Sequence, residues 1–95
     1  MQSLVIIGRR WWNSAGYTMC SSEVIIDGEF VPEANVDGKK GGGSDYVYNA
    51  FNKLVAIGKI TDCEEGEQCY RYISRKGIKL ANVCIPVKNL RDLNP

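Results

Sequence analysis

The sequence predicts an α+β fold: a small antiparallel sheet of three N-terminal strands plus one C-terminal strand, with two helices packed on one face. Three observations predict this class. β-Branched apolar runs separated by turn signals open the chain, a helical apolar pattern follows, and a final run alternates with period two. A sheet covered by helices on one face buries all of these apolar surfaces. The 95 residues suffice for one domain, residues 1–95, and not for two.

The first strand is predicted over LVIIGRRWW, from Leu4 to Trp12, where an apolar run becomes cationic and aromatic. The turn NSAG then leads to a second strand, YTMCSSEVII, which ends at Asp27-Gly28. Because Asp-Gly between apolar residues is a strong hairpin signal, a third strand beginning with EFV should pair with the second. Pro32 limits the length of this strand and places it at a sheet edge.

A mobile loop is predicted over residues 33–43, which are polar and glycine-rich without periodicity. Ser44 should cap the helix that follows, with Asp45 in its first turn and Gly58 at its end. The apolar face of this helix recurs at three- and four-residue steps and comprises Val47, Ala50, Phe51, Leu54 and Val55.

A second helix is predicted over residues 62–76, because Thr61 and Glu64 have capping-box spacing and acidic residues precede basic ones. Its inward side chains would be Cys69, Tyr72 and Ile73. A hairpin across Cys63 to Cys69 is the alternative for this segment. The last strand is predicted in IKLANVCIPV, which alternates at Val83, Ile85 and Val87, with Pro86 at an edge or a strand end.

Composition excludes several classes of function. The net charge is +1 with 24% charged residues, so a nucleic-acid partner is not expected. No apolar run approaches the roughly 20 residues of a membrane helix, and the N-terminus does not match a secretory signal. We therefore expect no membrane association and a cytoplasmic location.

The chain contains no histidine, which removes the usual general base and the commonest metal ligand. The four cysteines are Cys20, Cys63, Cys69 and Cys84. They lack the paired spacing of zinc sites, and because the chain has no export signal they should be free thiols. A Cys63–Cys69 disulfide formed on isolation in air is the alternative. No catalytic residue, metal or cofactor is predicted.

Two segments carry candidate binding residues. GRRWW places two arginines beside two tryptophans, a combination found at nucleotide sites and at protein hot spots. A strand would put Arg9 and Trp11 on one face and Arg10 and Trp12 on the other. GGGS precedes a helix, and its amides would suit an anion, although a hinge capped by Ser44 is the alternative. The predicted binding residues are Arg9, Arg10, Trp11, Trp12, Tyr17, Gly42, Gly43, Ser44 and Tyr46.

The stretches GRRWWNSAGYTMCSSEVIIDGE, GGGSDYVYNAFNKL and GIKLANVCIPVKNLRDL together resemble a family of small bacteriophage-encoded accessory proteins. GGGSDY matches the family's glycine-rich helix start, with Asp45 and Tyr46 at the corresponding places, and KNLRDL matches its basic C-terminal tail. The histidine usual in the second strand of the family is replaced here by Cys20 or Ser21.

The resemblance implies a phage accessory protein that binds a host defence component, such as a CRISPR effector, without enzymatic activity. In that case replacing Trp11 or Trp12 with alanine should abolish partner capture while the fold persists. The alternative is a sponge that sequesters a cyclic or NAD-derived nucleotide signal between Arg9 or Arg10 and the amides near Gly43. Such a sponge would be a homo-oligomer.

Overall fold

Five strands and two helices make up the computed structural model, which describes residues 1–87. In chain order they are β1 (Ser3–Trp12), β2 (Thr18–Ile26), β3 (Glu29–Phe30), a 3₁₀ turn (Pro32–Ala34), β4 (Val36–Lys40), α1 (Asp45–Ala56), α2 (Cys69–Lys76) and β5 (Lys79–Pro86). The predicted α+β class, with both helices packed against the sheet, is confirmed. The tail KNLRDL extends outside the described residues.

The sheet is mixed, whereas the sequence predicted an antiparallel one. Its strands lie in the order β3-β2-β1-β5, and β4 pairs with β2 as well. β1 and β2 are antiparallel from Leu4 opposite Ile26 to Trp12 opposite Thr18. β5, in contrast, runs parallel to β1. The reason is that α2 returns the chain to the start of β1, where the Lys79 amide donates to the Gln2 carbonyl at 2.9 Å.

The predicted loop over residues 33–43 contains the 3₁₀ turn and β4, so that prediction was wrong. β4 pairs antiparallel with β2, with Lys40 opposite Met19 and Val36 opposite Ser22. Only Val36 of this strand is buried. A strand with one inward apolar residue has no alternating pattern, so β4 has no local signal in the sequence. Its formation depends on pairing with β2, which is distant in sequence.

The hydrophobic core lies between the sheet and α1, on one face of the sheet. The predicted apolar face of α1 is buried except for Val55, which is exposed, and Tyr46 is buried with it. From the sheet, Leu4 and Ile6 of β1 and Val24 of β2 point into the same core. These positions alternate along β1 and β2, as expected for strands with one covered face.

The absence of a side chain at Gly8 leaves room for the Tyr46 ring to pack on the sheet. A Cβ atom at Gly8 would collide with the Cγ and Cδ2 atoms of this ring. The Tyr46 hydroxyl extends beyond β1 and donates to the Asn82 Oδ1 atom of β5 at 2.9 Å. One aromatic side chain of α1 therefore spans two neighbouring strands.

The second helix is shorter than predicted, and no capping box forms. α2 begins at Cys69, after a loop in which Gly66 adopts a left-handed φ of 75°. The acidic residues of that loop contact the basic end of α2: Arg75 Nε lies 2.7 Å from Glu67 Oε2, and Lys76 Nζ lies 2.6 Å from Asp62 Oδ2. The sequence interpretation assigned these charges to the helix dipole, whereas here they tether the loop. Cys69, Tyr72 and Ile73 are buried, as predicted.

This tether should make stability depend on acidic pH. The hydrogen bond from Arg75 lowers the pKa of Glu67 from 4.5 to about 2, and that from Lys76 lowers the pKa of Asp62 from 3.8 to about 2. Because both pKa values are lower in the folded state, their contribution is complete above the unfolded values and is lost as the pH falls to about 2. Urea unfolding measured against pH should show this loss. Glu67→Gln should flatten the profile, and a control variant of the exposed Glu65, Glu65→Gln, should leave it unchanged.

Candidate functional site

A cleft of about 740 Å³ lies at the end of the sheet where β1 stops. Three separate parts of the chain form it: the end of β1 with the start of β2, the glycine-rich segment before α1, and the end of β5. Its lining residues are Arg10, Trp11, Trp12, Thr18, Gly42, Gly43, Pro86 and Val87. The fold thus brings five of the nine predicted binding residues to one cleft.

Trp12 is the most exposed aromatic side chain at this cleft, with 77% of its surface accessible. It lies directly opposite Thr18 in the β1–β2 ladder, and its indole Nε1 donates to Thr18 Oγ1 at 3.1 Å. This hydrogen bond fixes one edge of the ring while most of the side chain remains exposed. A large aromatic group that is held in place before binding loses little conformational entropy on contact with a partner.

Trp11 and Arg9 lie on the opposite face of the sheet, as strand alternation predicts. Trp11 is only 6% exposed and is buried apart from the main core. Arg9 Nη1 donates to Glu23 Oε1 at 2.9 Å in a half-buried ion pair. The predicted centre of four residues is therefore divided: Arg10 and Trp12 point to the helix-covered face, whereas Arg9 and Trp11 point to the other face, although Trp11 also lines the cleft.

Arg10 faces the helices, opposite Cys20 of β2. A hydrogen bond with Cys84 raises the pKa of Arg10 above its ordinary value, so its guanidinium is charged at every physiological pH. Burial raises the pKa of the Cys20 thiol, with the Asp45 carboxylate as the second cause. Cys20 is consequently a protonated, buried side chain and not a nucleophile.

The glycine-rich segment forms a tight turn in which the Gly41 and Gly42 amides already have acceptors. The Gly42 amide donates to Asp45 Oδ2 at 3.1 Å, and Ser44 makes no side-chain capping bond, contrary to the prediction. Within residues 1–87, no acceptor takes a hydrogen bond from the Gly43 or Ser44 amide. Of these two exposed residues, only Gly43 lines the cleft, and the neighbouring Asp45 carboxylate disfavours an anion there.

The two predicted tyrosines differ in environment. Tyr17 is half-exposed beside the β1–β2 turn, and Lys40 Nζ lies 3.6 Å from the centroid of its ring. Tyr46 is buried over Gly8 and serves the core. An exposed edge-to-face pair, Tyr48 with Tyr70 at 5.7 Å between centroids, joins the two helices.

Sequence reasoning missed three residues of the cleft: Thr18, Pro86 and Val87. The turn NSAG could have placed Thr18 opposite Trp12, because a hairpin fixes its own register. Pro86 and Val87 arrive through the parallel pairing of β5 with β1, which no local signal in the sequence indicates.

Further groups of functional interest are few in the described part of the chain. Residues 1–87 contain no cluster of three side chains suited to hold a metal ion. No helix among these residues is both long and apolar enough to span a bilayer. The four cysteines are free thiols, and burial raises the pKa of Cys69 to about 11.

Comparison of the chain with protein-family models, with curated proteins and with solved structures gave no significant match. The resemblance to phage accessory proteins consequently remains a prediction made from the motifs alone.

Proposed function

We propose that this chain is a non-enzymatic binding protein that captures a partner protein at the end-of-sheet cleft. As a phage-type accessory protein in the host cytoplasm, it would inhibit a host defence component, with a CRISPR effector as the first candidate. The observation that carries the proposal is Trp12, which is 77% exposed and yet held by Thr18. Tryptophan and arginine dominate the energetics of protein interfaces, particularly where they flank a pocket.

The surroundings of Trp12 support a protein partner. Arg10 supplies a permanent charge with several donors, while Pro86 and Val87 supply apolar contact at the same cleft. Tyr17 lies on the neighbouring turn with Lys40 against its ring. This is the usual composition of an interface centre: a few large anchors among small neutral groups.

Trp12→Ala is expected to weaken partner binding by about 2 kcal/mol or more, a loss of roughly 30-fold, because a central aromatic anchor is removed. The protein should be expressed in a bacterial host whose CRISPR system targets a test phage. The wild-type protein should raise the plating efficiency of that phage, and Trp12→Ala should not. Phe30→Ala, at the distant β3 edge and 50% exposed, serves as the matched control and should act like the wild type.

Two outcomes would count against the proposal. If the wild-type protein leaves phage plating unchanged and captures no component of the defence system, the proposed role is wrong. If Trp12→Ala protects the phage as well as the wild type does, binding occurs elsewhere on the molecule.

A nucleotide sponge is the second candidate, because Arg10 and the available Gly43 amide belong to the same cleft. The Asp45 carboxylate beside those amides makes it the weaker of the two. Calorimetry with cyclic and NAD-derived nucleotides tests it directly. Binding that is lost in Arg10→Ala would support the sponge, and the absence of binding across the set would remove it.

A further inference from the structure

Among residues 1–87, the outer edge of β5 carries main-chain groups without a partner strand. β5 ends the strand order, and within residues 1–87 no strand pairs with its outer side. The amides of Lys79 and Val87 donate toward β1, to the carbonyls of Gln2 and Arg10. In a parallel pair, alternate residues direct both main-chain groups to the same neighbour. The residues in between, Leu80, Asn82 and Cys84, therefore direct their N–H and C=O groups outward.

In the described part of the chain, this edge also lacks the features with which monomeric proteins protect their edge strands. No charged residue occurs from Leu80 to Pro86. Val83 and Ile85 are 50% and 43% exposed, on the face of the sheet that neither α1 nor α2 covers. Edge strands are normally guarded by lysine, proline, bulges or covering segments. Here the only proline of the strand is its last residue, Pro86.

We infer that β5 pairs antiparallel with β5 of a second copy of this chain, about a two-fold axis at Asn82. In an antiparallel pair, hydrogen-bonded residues exchange both main-chain bonds when each directs them toward the other. With the axis at Asn82, this residue faces itself, and Leu80 faces Cys84 of the second copy. Every outward N–H group of β5 then has a carbonyl acceptor.

The same register explains why the partner is a second copy. Pro86, which has no N–H group to donate, falls opposite Ile78, just outside the ladder, so its missing donor costs no hydrogen bond. Since the paired segment is uncharged, two identical strands approach without repulsion. Val83 then lies beside Ala81 of the second copy on the uncovered face, so the apolar surfaces of both chains become continuous. A self-complementary patch of this kind is what a two-fold dimer requires.

Analytical ultracentrifugation of the full chain tests the dimer. The wild type should sediment at twice the 10.6 kDa of one chain. Val83→Lys and, separately, Ile85→Lys should convert it to the monomer, because they place cations on the joined face. Phe30→Lys is the matched control, equally exposed but at the opposite edge, and should remain dimeric. Circular dichroism verifies that each variant is folded.

The register has its own test. Asn82→Cys combined with Cys84→Ser should form a disulfide-linked dimer under mild oxidation, because the facing Cα atoms would be about 5.5 Å apart. Lys79→Cys combined with Cys84→Ser alone should form no disulfide-linked dimer, since residue 79 faces residue 85 of the second copy. A monomeric wild type, a monomeric Phe30→Lys variant, or cross-linking at residue 79 in place of 82 would each overturn the inference.

Discussion

Trp11→Ala is expected to destabilise the protein by about 3–5 kcal/mol, whereas Trp12→Ala should change the free energy of unfolding by less than about 0.5 kcal/mol. The two residues are neighbours in sequence, but Trp11 is 6% exposed and Trp12 is 77% exposed. Removing a buried indole leaves a cavity as well as the lost transfer energy. Removing an exposed one loses only a solvent-accessible hydrogen bond to Thr18.

Urea unfolding of both variants measures the difference. The result separates folding from binding, because only Trp12→Ala would yield a stable protein that lacks the proposed anchor. It also changes the interpretation of any binding assay made with Trp11→Ala, whose loss of function would follow from unfolding. Equal unfolding free energies for the two variants would contradict the burial difference.

Gly8→Ala is expected to destabilise the fold by about 1–3 kcal/mol, because the added methyl group overlaps the Tyr46 ring. The ring cannot withdraw easily, since α1 holds its backbone and its hydroxyl is bonded to Asn82. Tyr46→Ala alone should cost about 3–5 kcal/mol, as for other buried aromatic side chains. The double variant should lose less than the sum of the two, because without the ring the methyl group at residue 8 has room.

Thermal and urea unfolding of the two single variants and the double variant measure this coupling. Gly42→Ala is the control: its Cβ would lie 3.5 Å from Thr18 Cγ2, an ordinary contact, and its backbone does not require a left-handed φ. It should be nearly neutral. Additive losses at residues 8 and 46 would show that the contact does not determine the cost.

Local signals in the sequence predicted much of this fold correctly. Asp27 and Gly28 have φ values of 50° and 84°, the left-handed pair that a tight hairpin needs and that Asp-Gly favours. The three- and four-residue steps of α1 identified its buried face because the whole helix lies on one sheet. Both signals operate within a few residues of chain, where sequence and geometry are directly linked.

Pairings between distant segments could not be obtained in this way. The alternation of Val83 and Ile85 indicated a strand, but alternation contains no information on strand direction, and these side chains lie on the uncovered face. The same limit divided the candidate site. The GRRWW segment predicted two faces but not which one meets the cleft, since that depends on the loop before α1 and on the end of β5.

The burial pattern along β1 changes phase between Gly8 and Trp11. Leu4, Ile6 and Gly8 are buried at even positions, after which the buried residue is the odd-numbered Trp11 and the exposed one is Trp12. Even positions should therefore tolerate substitution poorly in the first part of the strand, whereas near its end the odd position 11 should tolerate it poorly and the even position 12 well. Over evolutionary time, the even positions at the beginning of β1 would be constrained by folding, while residue 12 could vary with the proposed binding partner.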